Sequence, residues 1–258
     1  MNSDTLSLAG KVAIVTGSGR ENGIGAAIAH VLAERGAAVT IHYFSNSTAD
    51  RAAEVLSTIK KTGSKAVAVQ ADLTDPKAAK HLVEKTLEAF KTDKIDILVN
   101  NAGAGAATPT LDSTSEDIEG LFRANVYGPI YMTQAVVPHM PPGGRIINIS
   151  SVASKLGLEA MPLYCSTKAA LDSLTYVWAQ EFGKKYGITV NSVAPGPIGT
   201  DLAPPPENPL AQLLVGLTRL ESRMGLPREV GDVVLFLASP LSRWVTGQYI
   251  SASGGITA

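Results

Sequence analysis

Short apolar runs rich in β-branched residues alternate along this chain with longer amphipathic segments, and this alternation restricts the possible folds more than any other feature. The predicted strands cover residues 11–16, 38–43, 65–70, 95–99, 145–149, 188–193 and 248–251, and the predicted helices cover 23–34, 49–61, 76–91, 115–139 and 162–186. The strands do not alternate polar with apolar residues, which indicates a parallel sheet covered by helices on both faces. We therefore predict a single α/β domain over residues 1–258, with a doubly wound sheet of about seven strands.

Composition argues against several classes of protein. Of 258 residues, 22 are Lys or Arg and 23 are Asp or Glu, a formal net charge of −1, which disfavours binding of nucleic acid through a basic surface. Cys165 is the single cysteine and the four histidines are scattered, so we expect no disulfide, no metal site and a cytoplasmic location. No apolar run approaches the roughly 20 residues that span a bilayer. A proline-rich stretch at 203–209 predicts a substrate loop or lid that covers residues 201–225 approximately.

A glycine-rich segment, TGSGRENGIG at 16–25, joins the first predicted strand to the first predicted helix. Glycine lets the backbone N–H groups of a helix N-terminus approach a phosphate closely. Gly17, Gly23, Ile24 and Gly25 are therefore predicted to bind the phosphates of a dinucleotide. The alternative interpretation is a glycine-rich turn without a ligand.

This segment resembles the TGxxxGxG loop of the short-chain dehydrogenase/reductase family, although its spacer holds five residues instead of three. Further family-like motifs follow in the family's order over nearly the whole chain: NNAG at 100–103, Ser151, YxxxK at 164–168 and PGPIGT at 195–200. The resemblance implies a Rossmann-type fold and a nicotinamide cofactor, and it points most closely to fungal polyhydroxynaphthalene and versicolorin-type ketoreductases. It implies further cofactor contacts at Asp72, Leu73, Asn101, Ala102, Gly103, Tyr164, Lys168, Pro195, Gly196, Ile198 and Thr200.

Three of these motifs also have plainer interpretations. Asp72 or Thr74 could cap the next helix, the NNAG motif could be a simple turn, and the PGPIGT motif is a proline-glycine turn in any case. For the PGPIGT motif, the turn and a cofactor contact are compatible.

The end of the second predicted strand carries no carboxylate before Asp50. In NAD enzymes of this architecture an acidic residue there binds the ribose 2′-hydroxyl, whereas hydroxyl, amide and guanidinium donors accept a 2′-phosphate. The sequence therefore predicts NADP(H), with candidate donors Arg20, Tyr43, Asn46 and Ser47. Ser47 or Thr48 could in addition cap the following helix.

Tyr164 and Lys168 are four residues apart and therefore share one face of a predicted helix. A neighbouring ammonium should lower the pKa of the phenol from about 10 and make it a usable acid. Ser151 would hold a carbonyl oxygen by hydrogen bond, with Ser150 as the competing serine. By resemblance, Asn125 anchors a water that returns protons to the lysine; the alternative is a buried side chain bonded to backbone.

Small or apolar residues are expected to wall the substrate pocket at Ala104, Ala153, Leu158 and Met161. They fit a moderately bulky, neutral ketone, aromatic or polycyclic, and hence an oxidoreductase of secondary metabolism that takes a small-molecule substrate. The alternatives are a 3-oxoacyl-carrier-protein reductase and a redox-neutral or regulatory protein that binds NADP. Aromatic stripes on the two long predicted helices predict a homotetramer, with a dimer next, from Tyr127, Tyr131, Trp178 and Phe182.

We expect kcat/KM with NADPH to exceed that with NADH by at least about tenfold, because the second strand ends in donors and lacks a carboxylate. The replacement Ser47→Asp should reverse this preference, since a carboxylate repels the 2′-phosphate. Steady-state kinetics with both cofactors measures the ratio. Equal use of NADH and NADPH by the natural chain would contradict the prediction.

Overall fold

Seven parallel strands form one sheet in the computed structural model, which describes residues 5–257. The strands are β1 (Val12–Val15), β2 (Ala38–Tyr43), β3 (Ala66–Gln70), β4 (Ile97–Asn100), β5 (Arg145–Ile149), β6 (Thr189–Pro195) and β7 (Tyr249–Ala252). Their order across the sheet is β3-β2-β1-β4-β5-β6-β7, and each neighbouring pair is parallel. The predicted fold class is confirmed. Residues 1–4 and 258 of the predicted domain lie outside the described residues.

Nine α-helices in the described part of the chain cover the two faces of this sheet. They are α1 (Ile24–Glu34), α2 (Ala49–Lys60), α3 (Pro76–Phe90), α4 (Ser115–Phe122), α5 (Gly128–Val136), α6 (Ala153–Leu156), α7 (Pro162–Tyr186), α8 (Pro209–Gly216) and α9 (Pro227–Ala238). One apolar cluster packs α1, α2 and α9 on the sheet, and the other packs α3, α5 and α7. Among residues 5–257, no helix is both long enough and apolar enough to cross a membrane.

The central strands are apolar on both sides because both sides are covered. Along β1, Ala13 and Val15 belong to the cluster of α1 and α9, while Val12 and Ile14 belong to the cluster of α3 and α7. A strand buried in this way gains nothing from polar residues at alternate positions. This arrangement explains the continuous apolar runs of the sequence.

The predicted helix at 115–139 is not regular along its length. A capping box of Thr114 and Asp117 starts α4, and a wide π-helical turn, Arg123–Tyr127, then connects α4 to α5. Pro129 has no N–H to donate to the carbonyl of Asn125, and its ring would clash with that carbonyl in a regular α-helix. The wide turn accommodates both effects, and such turns are frequent at functional sites.

Helix α9 is absent from the sequence-based prediction, although its start carries two recognisable signals. Pro227 occupies the first helical position, and Glu229 accepts the backbone N–H of Leu226 at 2.7 Å. The helix packs against α1, where a Cβ on Gly231 would lie 3.1 Å from Val31.

Two of the four aromatic residues used to predict oligomerisation do not face solvent. Trp178 and Phe182 are buried in the cluster between α7 and the sheet, and their rings stack with centroids 6.4 Å apart. The prediction of an exposed stripe at these two positions is wrong, because the core itself uses them. On α7 the exposed large apolar residues are instead Tyr176, Val177 and, at the end of the helix, Tyr186.

The strand order places a crevice at the carboxyl ends of β1 and β4. The chain leaves β1 toward β2 and β3 on one side, and it continues from β4 toward β5, β6 and β7 on the other. The connections therefore diverge between β1 and β4, where open α/β sheets bind their ligands.

Candidate active site at the β1–β4 crevice

The glycine loop between β1 and α1 is fixed to the end of β4 by one hydroxyl and one amide. The Thr16 hydroxyl accepts the backbone N–H groups of Asn101 and Ala102, each at 2.9 Å. In return, the Asn101 side-chain amide donates to the carbonyls of Thr16 (2.8 Å) and Gly17 (3.0 Å). Asn101 and Ala102, predicted as cofactor contacts, thus position the loop that would receive the cofactor.

Two glycines of the loop are required by this close approach. Gly17 has φ +63°, and a Cβ there would lie 2.8 Å from the Ala102 Cα. A Cβ on Gly25 would lie 2.5 Å from the Asn101 amide nitrogen. Any side chain at either position would push the loop away from β4.

The N-terminus of α1 fits an anionic group. Gly23 is its N-cap residue and contributes no side-chain bond, and its first turn contains no acidic residue. Helix N-termini of this kind offer N–H groups and a positive dipole end to a phosphate. The Gly23 N–H already donates to the Arg20 carbonyl at 2.9 Å, so Ile24 and Gly25 supply the first-turn N–H groups that would face a dinucleotide pyrophosphate.

His42 holds the same loop from the other side, a role that the sequence analysis missed. The Gly17 N–H donates to its Nδ1 at 2.8 Å, so the proton sits on Nε2, which donates to the Ala71 carbonyl at 2.9 Å. Burial disfavours the imidazolium and lowers the pKa of His42 to about 4, although the Ala71 carbonyl opposes the shift. The neutral ring connects the loop to the end of β3. The sequence signal that could have identified this role is the position of His42 next to Tyr43, at the end of a predicted strand.

The end of β2 presents its polar side chains beside this loop. Asn46 and Ser47 are exposed in a short 3-10 turn, while Tyr43 is half-buried, and a Cβ on Gly19 would lie 2.6 Å from the Tyr43 Cβ. Thr48 is the N-cap residue of α2, but its hydroxyl donates to the Ser45 carbonyl and does not cap the helix. The capping alternative is therefore right about the N-cap position of Thr48 but wrong about a hydroxyl that caps α2.

The predicted pair at 72–73 follows β3 at the same edge of the sheet. The Asp72 carboxylate accepts from the N–H and hydroxyl of Thr74, at 3.0 and 2.8 Å, and Leu73 is buried. The cap of α3 is Asp75, which accepts the Lys77 N–H at 2.8 Å. The alternative in which Asp72 or Thr74 caps this helix is thus wrong.

Ser151, Tyr164 and Lys168 meet at the end of β5. The Ser151 hydroxyl forms a hydrogen bond with Tyr164, and the Lys168 Nζ lies 5.7 Å from the centre of the Tyr164 ring. Lys168 is buried and its Nζ donates to the Ile149 carbonyl at 2.9 Å. The competing serine, Ser150, is buried and directs its hydroxyl to the Lys168 carbonyl at 3.4 Å instead.

The pKa values of this group differ from the expectation. Burial raises the pKa of Tyr164 above its usual value, and the hydrogen bond from Ser151 opposes that shift only in part. Burial also lowers the pKa of Lys168 to about 8, with Asp172 opposing the shift. The expected depression of the tyrosine pKa is therefore wrong for this structure, because desolvation is the largest influence on Tyr164.

Asn125 lies in the wide turn between α4 and α5 and is fully buried. Its Oδ1 accepts the Ala104 N–H at 2.7 Å, and its Nδ2 donates to the Ala104 carbonyl at 2.9 Å and to the Thr167 hydroxyl at 3.0 Å. A Cβ on Gly103 would lie 2.8 Å from Asn125 Oδ1 and 3.5 Å from Lys168 Nζ. The amide thus has the backbone-bonded geometry of the alternative interpretation, in the immediate neighbourhood of the lysine.

The remaining predicted residues lie around this group with different degrees of exposure. Ala104 is exposed and Leu158 and Met161 are half-buried, but Ala153 is buried in α6, so its side chain presents little surface to a substrate. In the PGPIGT segment the side chains of Pro195 and Ile198 are buried, which leaves backbone groups and the Thr200 hydroxyl for contact with a ligand. A Cβ on Gly196 would lie 2.9 Å from Ser253.

The chain as a whole is similar to proteins already described. A family model named enoyl-(acyl carrier protein) reductase matches residues 17–257. The short-chain dehydrogenase/reductase FrzI of Cladobotryum sp is 40% identical, over 97% of each chain, and the hydroxynaphthalene reductase-like protein Arp2 of Metarhizium guizhouense is 40% identical, over 96% of each. The crystal structure of a blue fluorescent protein from a metagenomic library in complex with NADPH superimposes with a TM-score of 0.91. It is 39% identical, with 98% of this chain and 100% of that chain covered.

Acidification below pH 6.5 should destabilise the fold through His42. An unfolded histidine takes up a proton near pH 6.5 and the buried one only near pH 4, so the unfolded chain binds more protons across this window and stability falls as the pH falls. The loss attributable to His42 is of the order of 3 kcal/mol at pH 4. Unfolding at fixed protein concentration, measured between pH 7 and 4.5, should show a shallower pH dependence for His42→Gln than for the exposed control His81→Gln. Parallel curves for the two variants would refute this role of His42.

Proposed function

Since the chain belongs to the short-chain dehydrogenase/reductase family, we propose that it uses NADPH to reduce a ketone to a secondary alcohol. The observation that carries the proposal is the meeting of Ser151, Tyr164 and Lys168 at the same edge of the sheet as the glycine loop. A phenol, a hydroxyl and a buried ammonium in one crevice provide a proton donor, an oxyanion partner and a fixed charge.

NADP(H) is the cofactor that the crevice residues fit. The open N-terminus of α1 would hold the pyrophosphate, and Arg20, Tyr43, Asn46 and Ser47 would hold the 2′-phosphate. Backbone groups of the PGPIGT segment and the Thr200 hydroxyl would hold the carboxamide end. When bound, the reduced nicotinamide supplies a hydride to the carbonyl carbon.

Tyr164 supplies the proton in this proposal. Because burial raises its pKa, the phenol carries its proton at neutral pH and can deliver it to the oxygen of a forming alkoxide. Ser151, already hydrogen-bonded to the phenol, is placed to share that oxygen and polarise the carbonyl. Reduction is the direction that a protonated phenol favours, and the rate of reduction should fall as the pH rises through the pKa of Tyr164.

Lys168 stabilises the phenolate after the transfer and binds the nicotinamide ribose. Its pKa of about 8 keeps most of it charged at neutral pH and also lets it pass a proton on. Asn125 would take part in that proton return through its backbone, since its amide is already bonded to Ala104 and Thr167.

A moderately bulky, neutral aromatic or polycyclic ketone is the proposed substrate class. The similarity to a hydroxynaphthalene reductase-like protein supports this class and a role in secondary metabolism. A carrier-protein substrate would require unpaired basic residues near the crevice. Arg51 and Arg223, which flank it, are instead paired with carboxylates: Glu21, Asp201, Glu221 and Glu229.

The proposal includes a cytoplasmic homotetramer. The single cysteine, Cys165, agrees with a reducing compartment. Exposed apolar residues support assembly: Tyr176 and Val177 on α7, and Phe236, Leu241 and Trp244 near β7. Trp244 is 96% exposed in the single chain, a position that subunit contact would cover.

Tyr164→Phe should lower turnover by roughly 10²–10⁴, the range for loss of a general acid, while NADPH affinity is preserved. Ser151→Ala should lower kcat with little change in cofactor affinity, whereas Lys168→Ala should lower both. The control is Tyr186→Phe, at the far end of α7. NADPH oxidation with a panel of aromatic ketones and fluorescence titration of NADPH give the two quantities. A Tyr164→Phe enzyme with most of its activity would mean that the proton comes from another group.

Light scattering should give the mass of four chains, each of 26.9 kDa. Replacement of Val177 by Glu should shift the population toward smaller species, because it introduces a charge on the exposed face of α7. A natural chain that scatters as a single species of one chain mass would contradict the assembly.

A further inference from the structure

The inserted part of the glycine loop touches the far side of the crevice. The five-residue spacer contains Glu21 and Asn22, and the Asn22 amide donates to Asp201 Oδ1 at 3.1 Å. Asp201 directly follows the PGPIGT segment and is the first residue of the 201–225 segment. A side-chain contact therefore joins the loop after β1 to the chain after β6.

Arg51 completes this connection from the first turns of α2. Its Nε donates to Glu21 Oε2 at 2.8 Å, and its Nη2 donates to Asp201 Oδ2. The guanidinium of Arg51, together with the Asn22 amide, lowers the pKa of Asp201, so the aspartate remains ionised at any pH near neutral. Four side chains from three separate segments thus form one connected group, which we call the strap: Glu21, Asn22, Arg51 and Asp201.

The other end of the 201–225 segment is fixed independently. Arg223 donates to both carboxylate oxygens of Glu229, at 2.9 and 2.7 Å, and Glu229 also accepts the Leu226 N–H. The backbone of Gly225 bonds to Pro197 and Gly199 beside the start of the segment. The segment therefore begins and ends next to the PGPIGT turn. Among the described hydrogen bonds, the side chain of its first residue, Asp201, is held only by other members of the strap.

We propose that the strap closes over the dinucleotide crevice and sets the rate at which the cofactor leaves. Because α1 begins at Ile24, two residues after Asn22, the bridge from Asn22 to Asp201 passes beside the group of N–H donors that would hold the pyrophosphate. A cofactor lying along this edge is enclosed when the bridge is formed, and it leaves when the bridge opens. The inference rests on the proposed NADP(H) function.

The strap is built to open. Its side chains keep about a third of their surface exposed (33% for Arg51 and 30% for Asp201), so water and salt compete with each pair. An exposed network of this size changes a rate by about three- to tenfold, which is enough to gate release without blocking it. The longer spacer of the glycine loop carries Glu21 and Asn22 to Arg51 and Asp201.

Two measurements test the strap, and the first needs no cofactor. Hydrogen exchange of the free protein should be faster at 201–208 in Asp201→Ala and Arg51→Met than in the natural chain. Arg228→Met is the matched control, because it breaks a similar exposed pair with Glu34 at the far end of α1. Unchanged exchange at 201–208 in both strap variants would overturn the strap, whatever the cofactor does.

The second measurement is the dissociation rate of NADPH and NADH by stopped-flow displacement. Each strap variant should speed release of both cofactors by about three- to tenfold. The double variant should have no larger effect than Asp201→Ala alone, since Asp201 is the partner of both Arg51 and Asn22. An effect confined to NADPH would make Arg51 a contact of the 2′-phosphate and would overturn the proposal, as would additive effects. A chain that binds neither cofactor, with exchange altered as expected, would refute the proposed function and the gating of release, and would leave the bridge itself intact.

Discussion

The attachment of the glycine loop to the end of β4 is the interaction on which the rest of the site depends. Thr16 contributes one hydroxyl to the two N–H groups after β4, and Asn101 contributes one amide to the two carbonyls at the loop's start. These bonds join the two central strands at their carboxyl ends, at the point where the connections of the sheet diverge. The contact is so close that Gly17 and Gly25 tolerate no Cβ. With the loop fixed there, the N-terminus of α1 lies at the same carboxyl edge of the sheet as Ser151, Tyr164 and Lys168, the residues proposed as catalytic.

Burial sets the pKa values of Lys168 and Tyr164 at this edge of the sheet. Lys168 is 5% exposed and bonded to a backbone carbonyl, so its charge is costly and its pKa falls, while the same lack of water keeps Tyr164 protonated. Proton delivery from the phenol thus suits the structure better than proton removal by a phenolate. The wide turn at Arg123–Tyr127 belongs to the same arrangement, because it carries Asn125 to the backbone of Ala104 and to the neighbourhood of the lysine.

The strap extends this arrangement to the substrate side. At the end of the 201–225 segment Arg223 pairs with Glu229, and this pairing lowers the pKa of Glu229 to about 2. At its start, Asp201 is held by Arg51 and Asn22. These pairings occupy two basic side chains beside the crevice, Arg51 and Arg223. The proposed neutral substrate and the proposed enclosure of the cofactor both rest on this distribution of charges.

The sequence by itself determined the seven strands, their order along the chain and most of the long helices, because the apolar runs at 11–16 or 95–99 and the capping and glycine signals act within a few residues of each other. The helices α6, α8 and α9 were not predicted from it. It also determined which residues would meet at the carboxyl edge, since parallel strands bring their ends together. Tertiary structure decided what depends on distant neighbours. The burial of Trp178 and Phe182, the loop contact of His42 and the pairing of Arg51 with Asp201, 150 residues apart, have no local signature. The pKa of Tyr164 belongs with them, because the largest influence on it is desolvation by the packed chain, which sequence spacing does not reveal.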